Sequence, residues 1–237
     1  MQAPNASETG PMHLRRLISI ALYPNGKVHF LTRLREDPSV LDVGCGNNSP
    51  FLVKSILPRS AYTGIDIGDY NQTKPNNADR YVLTTPEAFA SRIADFGECF
   101  DAVISSHNLE HCNDREATFR AMLQVTRMGG LMYLSFPSKD SVSFPSRAGT
   151  LNYFDDPTHR DAPPDIDLLL TIARNQGFEI VFLTRGNRPL LACMLGLFLE
   201  PVSRFRRKVM RGTWELYGFE VIMILQRVRR VGEAPSG

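Results

Sequence analysis

Short apolar runs spaced along the chain predict buried strands. Each run is bounded by turn-forming residues, as is typical of strands in a compact domain. The runs lie at 39–43, 62–67, 80–83, 100–105, 131–136 and 178–183, and a last one lies at 217–228. Between most of them, apolar residues recur at i, i+3 and i+4 spacing, which predicts helices. These helices lie at 51–57, 87–94, 116–127 and 165–175.

The alternation of strands and helices indicates βαβ units and a mostly parallel sheet. Glycines and prolines refine the helix ends. Gly129-Gly130 and Gly177 are expected just after two helices, where glycine readily takes the left-handed conformation. Pro163-Pro164 are expected in the first turn of the last predicted helix. The connection at 68–79 is rich in Asn and has no helical pattern, so it is expected to be an irregular crossover.

The N-terminal region does not share this alternating pattern. It is predicted to begin with a loose tail at 1–11. Two short helices follow at 13–22 and 28–34, with a turn between them at 23–26. We therefore expect an N-terminal helical cap over 1–37. An α/β domain is expected over 38–237, with an insertion at 186–212 before the last strand.

Composition excludes several classes of protein. The chain has 237 residues, 43% hydrophobic and 22% charged, as expected of one globular domain with a full core. A net charge of +2 does not indicate a nucleic-acid partner. The four cysteines form no Cys-x-x-Cys pair, which argues against a zinc ribbon or disulfide framework. No apolar run reaches about 18 residues, and the first ten residues have no apolar signal core, so the cytoplasm is expected.

A glycine-rich turn follows the strand at 39–43. Gly44 and Gly46 allow a tight turn and close approach of a ligand to the backbone. Asp66 follows about 20 residues later at the end of the next predicted strand, where an acid suits a pair of ribose hydroxyls. The alternatives are an ordinary tight turn and an Asp66 that only forms a turn or caps a helix.

This turn differs from pyrophosphate-binding loops. Asn48-Ser49-Pro50 replaces the third glycine of a dinucleotide fingerprint, and no Lys-Ser or Lys-Thr pair follows. Asp42 and Asp66 flank the turn, and their carboxylates repel phosphates. They suit instead a ligand that carries an ammonium group and a ribose.

Five segments, in order, resemble motifs of class I S-adenosylmethionine-dependent methyltransferases. They are Val40-Leu-Asp-Val-Gly-Cys-Gly46, Gly64-Ile-Asp-Ile67, 100–111, 129–137 and Gln176-Gly-Phe-Glu179. The resemblance covers roughly residues 39–183. It implies a Rossmann-like, seven-stranded, mostly parallel sheet with helices on both faces and an antiparallel last strand. It also implies S-adenosyl-L-methionine as cofactor.

The resemblance also implies which residues surround that cofactor. The turn residues border its methionine part, Asp66 binds the ribose hydroxyls, and Ile67 packs on the adenine. Ser106 and His107 lie beside the methionine and the sulfonium. In place of the usual acid near the adenine, the chain has Thr85, with Glu87 as an alternative. The implied site comprises Asp42, Gly44, Cys45, Gly46, Asp66, Ile67, Thr85, Ser106 and His107.

Three histidines fall where this fold builds its active site, and His107, His111 and His159 are the candidate catalytic residues. On a helical turn, His107, Glu110 and His111 share one face. The segment resembles a Glu-x-x-Glu-His pattern of some superfamily members, with His107 in place of the first Glu. A divalent cation could be bound by His107, Glu110, His111 and His159. A metal-free site is expected, with Glu110 and His111 capping and packing the turn.

The segment Phe154-Asp-Asp-Pro-Thr-His-Arg160 resembles bacterial methyltransferases encoded with saccharide and glycolipid biosynthesis. In this fold the segment reaches over the active site, so His159 is a candidate general base for an acceptor hydroxyl. The alternative is a helix-capping network made by Asp156, Thr158 and His159.

A late segment, 190–211, has an apolar half followed by a basic half. It is either an ordinary helix under the sheet with a solvated tail, or an interfacial patch that contacts a membrane or a lipid-linked acceptor. Its basic residues are Arg204, Arg206, Arg207, Lys208 and Arg211.

The sequence therefore predicts an S-adenosylmethionine-dependent methyltransferase, with O-methylation of a saccharide or glycolipid intermediate as the expected reaction. One alternative is O- or N-methylation of another small molecule or natural product. The alternative from a different class is a non-catalytic Rossmann-like module that binds the cofactor or a partner. The oligomeric state is left open.

Overall fold

The computed structural model describes residues 11–69, 78–159 and 161–229. Residues 1–10 of the tail predicted at 1–11, and most of the irregular connection at 68–79, lie outside this part of the chain, whereas Pro11 begins the first helix. Seven strands form the described sheet. They are β1 (Ser39–Val43), β2 (Ala61–Asp66), β3 (Arg80–Leu83), β4 (Phe100–Ser106), β5 (Thr126–Pro137), β6 (Phe178–Thr184) and β7 (Glu220–Arg227).

Helices connect and flank these strands. They are α1 (Pro11–Leu22), α2 (Lys27–Thr32), α3 (Ser49–Ile56), α4 (Phe89–Ala94), α5 (Arg115–Val125), α6 (Ile166–Asn175), α7 (Leu190–Arg206) and α8 (Thr213–Tyr217). Short 3-10 helices occur at Leu109–His111, Lys139–Ser143 and Tyr153–Asp155. Within the described residues, no helix is both long and apolar enough to cross a bilayer.

The strand order in the sheet is β3-β2-β1-β4-β5-β7-β6. The first five strands pair in parallel, and β7 runs antiparallel to both β5 and β6. Both faces are covered. Alternate residues of β1 point to opposite sides, so Leu41 packs with α4, α5 and α6, whereas Val40 packs with α2 and α3. The predicted fold class is confirmed. The division at residue 37 and the insertion at 186–212 stay predictions.

Two predicted helix ends are wrong. Gly129-Gly130 lie inside β5, because α5 ends at Val125 and the chain enters the sheet at once, with Thr126 paired to Phe100. Pro163-Pro164 precede α6, whose N-cap is Asp165. The Asp165 carboxylate accepts the N–H groups of residues 167 and 168, which satisfies the free donors of the first turn. Gly177, by contrast, follows α6 with φ +82°, as predicted.

The direction of chain connection reverses at β1. From β1 the chain moves to β2 and β3 on one side and to β4 and β5 on the other. In open α/β sheets, ligands bind outside the carboxyl ends of the strands at such a switch point. The residues at these ends are Gly44 after β1, Asp66 at the end of β2 and Ser106 at the end of β4.

Candidate active site

The turn after β1 requires glycine at two positions for different reasons. Gly44 has φ +69°, and a Cβ there would overlap the side chain of Asn108. Gly46 has φ +56°, and a Cβ there would meet nothing within 4 Å. Asn108 therefore packs directly on the turn at Gly44, whereas the backbone at Gly46 faces open space. A ligand can approach the chain there.

Asp66 lies at the carboxyl end of β2 and is buried. Its Oδ2 accepts the N–H of Gly46 at 2.8 Å, and its Oδ1 accepts the N–H of Ile67 at 2.7 Å. Burial raises the pKa of Asp66, and hydrogen bonds from the backbone of Gly46, Ile67 and Gly68 oppose that rise. The carboxylate thus holds the glycine turn against β2, which is a structural role in addition to the predicted contact with ribose.

A cavity of about 740 Å³ opens over these strand ends. Its volume is in the range of small-molecule sites. One side is formed by the glycine turn and the end of β2, and the other by the segment after β4 together with Thr158 and Asp161. The lining residues are Gly44, Gly46, Asp66, Ile67, Pro86, Phe89, His107, Asn108, Glu110, His111, Cys112, Asn113, Thr158 and Asp161.

Asp42 and Cys45 are not among the lining residues. Asp42 is buried beneath the turn, where its Oδ2 accepts hydrogen bonds from Lys27, Ser49 and Tyr62. Its Oδ1 has no hydrogen-bond partner among the described residues. The Cys45 thiol is also buried, and burial raises its pKa. Neither side chain is brought to the cavity, so a cofactor contact at Cys45 would have to use the backbone.

Thr85 and Ser106 also fall outside the lining. Thr85 is exposed and accepts the N–H of Ala88 at 3.3 Å, so it stabilises the turn before α4. Pro86 and Phe89 lie at the cavity instead. An aromatic residue beginning the helix after a strand end is the signal that could have identified Phe89. Ser106 ends β4, and its hydroxyl has no hydrogen-bond partner in the described ranges.

His107 lies between two carboxylates. Its Nδ1 is 3.3 Å from Glu110 Oε1, and its Nε2 is 3.1 Å from Glu220 Oε1. Burial opposes the charged form, but the two carboxylates outweigh that effect and raise the pKa of His107 to about 10. The ring is an imidazolium at neutral pH, so neither nitrogen has a lone pair for a base or a metal. The structure therefore argues against both predicted chemical roles of His107.

Aromatic rings hold this imidazolium in place. The His107 ring is stacked at 12° on Phe219, and its centroid is 5.2 Å from that of Trp214. Its backbone has φ +50°, a conformation that non-glycine residues rarely adopt. Glu220 and Trp214 were not predicted from the sequence. Glu220 reaches His107 because β7 lies beside β5, and Trp214 lies on α8, just before β7.

His111 is oriented by a hydroxyl from the loop after β5. Its Nδ1 is 2.8 Å from Thr158 Oγ1, and that hydroxyl is 2.6 Å from Asp156 Oδ1. The single hydroxyl proton goes to the carboxylate, which only accepts, so His111 Nδ1 donates to Thr158. Burial lowers the pKa of His111. The ring is therefore neutral at pH 7 and carries its lone pair on Nε2.

His159 is buried behind His111. Its Nδ1 is 2.6 Å from the carbonyl oxygen of Tyr153, and its ring stacks on that of Tyr153 at a centroid distance of 4.2 Å. A carbonyl only accepts, so His159 Nδ1 carries a proton and donates it to Tyr153. His159 Nε2 is buried without a hydrogen-bond partner among the described residues. His159 does not line the cavity itself, unlike the neighbouring Thr158.

Three residues with potential ligand atoms lie close together beside the cavity. One ligand atom each from Glu110, His111 and His159 lies within 4.8 Å of the others. Glu110 is buried, and its Oε2 has no hydrogen-bond partner in the described part of the chain. Buried acceptors of this kind are costly unless a proton or a cation satisfies them. Two imidazole rings and a carboxyl group form a donor set that suits a divalent cation.

Comparisons with known proteins identify the family. The profile described as "Methyltransferase domain" matches residues 15–183, which is more than half of the chain. The chain belongs to this methyltransferase family. Its fold and glycine turn are those of class I S-adenosylmethionine-dependent methyltransferases, as predicted from the sequence.

Curated relatives match part of the chain. The ubiquinone biosynthesis O-methyltransferase of Saccharophagus degradans is 32% identical over 108 residues, which cover 42% of this chain and 43% of that protein. The 27-O-demethylrifamycin SV methyltransferase of Amycolatopsis mediterranei is 30% identical over 123 residues, covering 49% and 43%. The chain thus spans less than half the length of these relatives. Neither name supports the saccharide or glycolipid resemblance.

Solved structures agree on the fold. An S-adenosylmethionine-dependent methyltransferase from Archaeoglobus fulgidus aligns with a TM-score of 0.52 and 16% identity, covering 91% of each chain. At this identity the likeness concerns the fold alone.

Proposed function

We propose that this protein transfers a methyl group from S-adenosylmethionine to a hydroxyl oxygen of a small-molecule acceptor. The observation that carries the proposal is that one cavity is lined by Gly46, Asp66 and Ile67 and also by Glu110 and His111, two members of the cluster. Cofactor-binding features lie on one side of this cavity, and groups able to activate a hydroxyl lie on the other.

The cofactor side fits an adenosine group. Ile67 is 48% exposed although it lines the cavity, so an apolar surface is available to a flat base. Three backbone N–H groups contact the Asp66 carboxylate, which has about four acceptor sites. At least one acceptor site is thus left for a ribose hydroxyl. When bound, S-adenosylmethionine supplies an activated methyl group on a sulfonium.

The acceptor side needs to hold a hydroxyl and take up its proton. His111 presents Nε2 as a lone-pair donor, and its orientation is fixed through Thr158 and Asp156. Since the methyl donor is already activated, most of the required catalysis is positioning of the acceptor oxygen. Proton removal by a side chain then contributes a factor of about 10²–10⁴.

The unpaired acceptors favour a cation at this site over the metal-free arrangement expected from the sequence. Glu110, His111 and His159 would hold it, and His107 would not, because its nitrogens already contact Glu110 and Glu220. A bound divalent cation would lower the pKa of an acceptor hydroxyl. The carbonyl of Tyr153 and the hydroxyl of Thr158 fix the two imidazole rings, as such outer partners do in metal sites.

The acceptor class is a narrower proposal. The names of the relatives refer to ubiquinone biosynthesis and to a demethylrifamycin, which supports an O-methyl acceptor. The assignment of a saccharide or glycolipid acceptor is supported only by the resemblance of the 154–160 segment to the bacterial methyltransferases named above. A panel of catechols, macrolactams and sugar phosphates, assayed with labelled S-adenosylmethionine, separates these classes.

Metal analysis and turnover test the site directly. We expect the wild-type protein to hold one divalent cation per chain, and both Glu110→Gln and His111→Gln to lose it. The control His29→Gln changes a histidine on α2, whose Nδ1 bonds to the backbone of Asn25, and it should keep the metal. Chelation should abolish turnover, and added cation should restore it. Full turnover in chelator would reject the metal and leave His111 as the base. No turnover with any acceptor, despite cofactor binding, would favour the non-catalytic module.

A further inference from the structure

The helix α7 presents its large apolar side chains outward. Six of them are between 48% and 89% exposed. At about 3.6 residues per turn they fall within roughly one third of the helix circumference. We call this surface the outer face of α7, and it comprises Leu190, Leu191, Met194, Leu197, Phe198 and Phe205.

The opposite side of α7 carries small residues. Ala192, Gly196 and Ser203 are buried against the rest of the domain. A Cβ at Gly196 would overlap the carbonyl of Gly212, just before α8, so α7 packs closely on that segment. The expected arrangement of a surface helix, with large apolar residues inward, is therefore inverted. This excludes the simple reading of 190–211 as a helix packed under the sheet. The outer face is suited to an apolar environment.

Positive charge adjoins the outer face at its C-terminal end. All the basic residues of this segment are exposed, and no ion pair joins them to acidic side chains among the described residues. They are Arg204, Arg206, Arg207, Lys208 and Arg211. The one acidic residue of α7, Glu200, is already paired with the buried Arg147 at 2.6 Å.

A polar cavity of about 560 Å³ lies beside this end of the helix. Arg204 and Arg207 line it together with the Arg147–Glu200 pair and Tyr217. Because Glu200 neutralises Arg147, the two other arginines leave an excess of positive charge. Such a site suits a phosphate group.

We propose that the outer face of α7 and its basic end bind the surface of an anionic phospholipid bilayer. An apolar helix face with adjoining Lys and Arg residues is the pattern of interfacial helices, which insert their apolar side chains at the headgroup boundary. Basic residues close to such a surface are attracted by anionic lipids. The proposal does not depend on the chemistry proposed above, since it concerns only this surface.

Vesicle co-sedimentation of the full chain tests this proposal. We expect the protein to bind vesicles of phosphatidylcholine that contain phosphatidylglycerol, and to bind pure phosphatidylcholine about tenfold less. Raising the salt concentration should weaken binding, because screening shortens the range of the charge attraction. Protein that stays in the supernatant with the anionic vesicles overturns the proposal.

Matched variants identify the surface. Phe198→Ser combined with Phe205→Ser should lower binding about tenfold, and so should Arg206→Gln combined with Lys208→Gln. Phe51→Ser is the control, because Phe51 is 59% exposed but lies on α3, outside the outer face of α7, and should not contribute to vesicle binding. All these side chains are exposed, so thermal melts should be unchanged. Equal binding by the double phenylalanine variant contradicts the proposal. A stable wild-type dimer that the double phenylalanine variant dissociates would also contradict it, because a second copy of the chain would then cover the outer face of α7.

Discussion

Thr158 Oγ1 lies 2.8 Å from Nδ1 of His111. The two residues are far apart in the sequence, and the contact joins the loop after β5 to the segment after β4. Because Thr158 gives its proton to Asp156, the contact selects the His111 tautomer with the lone pair on Nε2. The orientation of the proposed reactive nitrogen therefore depends on a single hydroxyl.

We predict that Thr158→Val lowers turnover about 10–100-fold, which is the usual effect of removing an outer partner of a functional histidine. Valine keeps the shape of threonine but cannot accept from His111. Cofactor affinity, measured by calorimetry, should hardly change, because Thr158 faces the acceptor side.

Thr158→Ser is the matched control. It retains the hydroxyl and should recover most of the activity. If valine and serine behave alike, Thr158 serves only in packing and our assignment of the His111 tautomer is unsupported.

Asp66→Asn should weaken S-adenosylmethionine binding by roughly 1.5–3 kcal/mol, the scale of hydrogen bonds to a charged group. The amide presents one acceptor where the carboxylate presents two, so it cannot serve both the backbone N–H groups and a ribose. Calorimetry measures the loss. Asp95→Asn, an exposed change at the end of α4, should leave affinity intact. Unchanged affinity in Asp66→Asn removes this residue from the cofactor site.

Gly44→Ala should destabilise the protein more than Gly97→Ala does. Both glycines have nearly the same positive φ, +69° and +68°, so an alanine at either adds about 1–2 kcal/mol of backbone strain. Only at Gly44 does the new Cβ overlap a neighbour, the Asn108 side chain, whereas Gly97 has open space.

The overlap should add about 1–3 kcal/mol, the usual effect of overpacking. In a chain of this size, each kcal/mol lowers Tm by roughly 2–4 °C. Thermal melts of the two variants measure the difference. Equal melting temperatures would mean that Asn108 moves aside without cost and does not support the turn.

The stability of the loop that carries Thr158 should fall in acid. Asp155 accepts the backbone N–H groups of Arg147, Leu151 and Asn152 through Oδ2. Burial alone would raise the pKa of Asp155, but these hydrogen bonds and one from Ser146 outweigh it and lower the pKa. Because the pKa of Asp155 is lower in the folded than in the unfolded chain, its ionised carboxylate stabilises the fold above about pH 4. This contribution is lost as pH falls through the folded pKa.

Asp155→Asn should therefore lower the free energy of unfolding by about 1–3 kcal/mol at neutral pH. The difference from wild type should begin to shrink below about pH 4 and should vanish below the lowered pKa of the folded carboxyl, where the wild-type group is also protonated. Denaturant unfolding at several pH values measures this trend. Asp140→Asn, an exposed change in the same region, is the control. A difference that does not vary with pH would show that the Asp155 charge has no role.

Local pattern was sufficient to predict most of the sheet. The bounds of β1 and β3 are as predicted, because their apolar runs end at turn-forming residues on both sides. The start of β5 was missed because Thr126, Arg127 and the glycine pair look like the end of a helix. Pairing of Thr126 with Phe100 draws this stretch into the sheet, and a sequence pattern does not contain that long-range contact.

The candidate site was predictable where residues follow strand ends directly. Gly46, Asp66, Ile67 and His111 reach the cavity as expected from their places after β1, β2 and β4. The contact of Glu220 with His107 was not predictable, because it depends on β7 lying between β5 and β6. That contact changes the chemistry, because together with Glu110 it raises the pKa of His107 and leaves His111 and His159 as the histidines of the Glu110 cluster.

The most direct test is a calorimetric titration of the purified wild-type chain with S-adenosylmethionine, and separately with NAD. The account predicts one S-adenosylmethionine site per chain, which Asp66→Asn weakens, and no binding of NAD. Binding of NAD in place of S-adenosylmethionine, or no binding of S-adenosylmethionine by a folded chain, would contradict it.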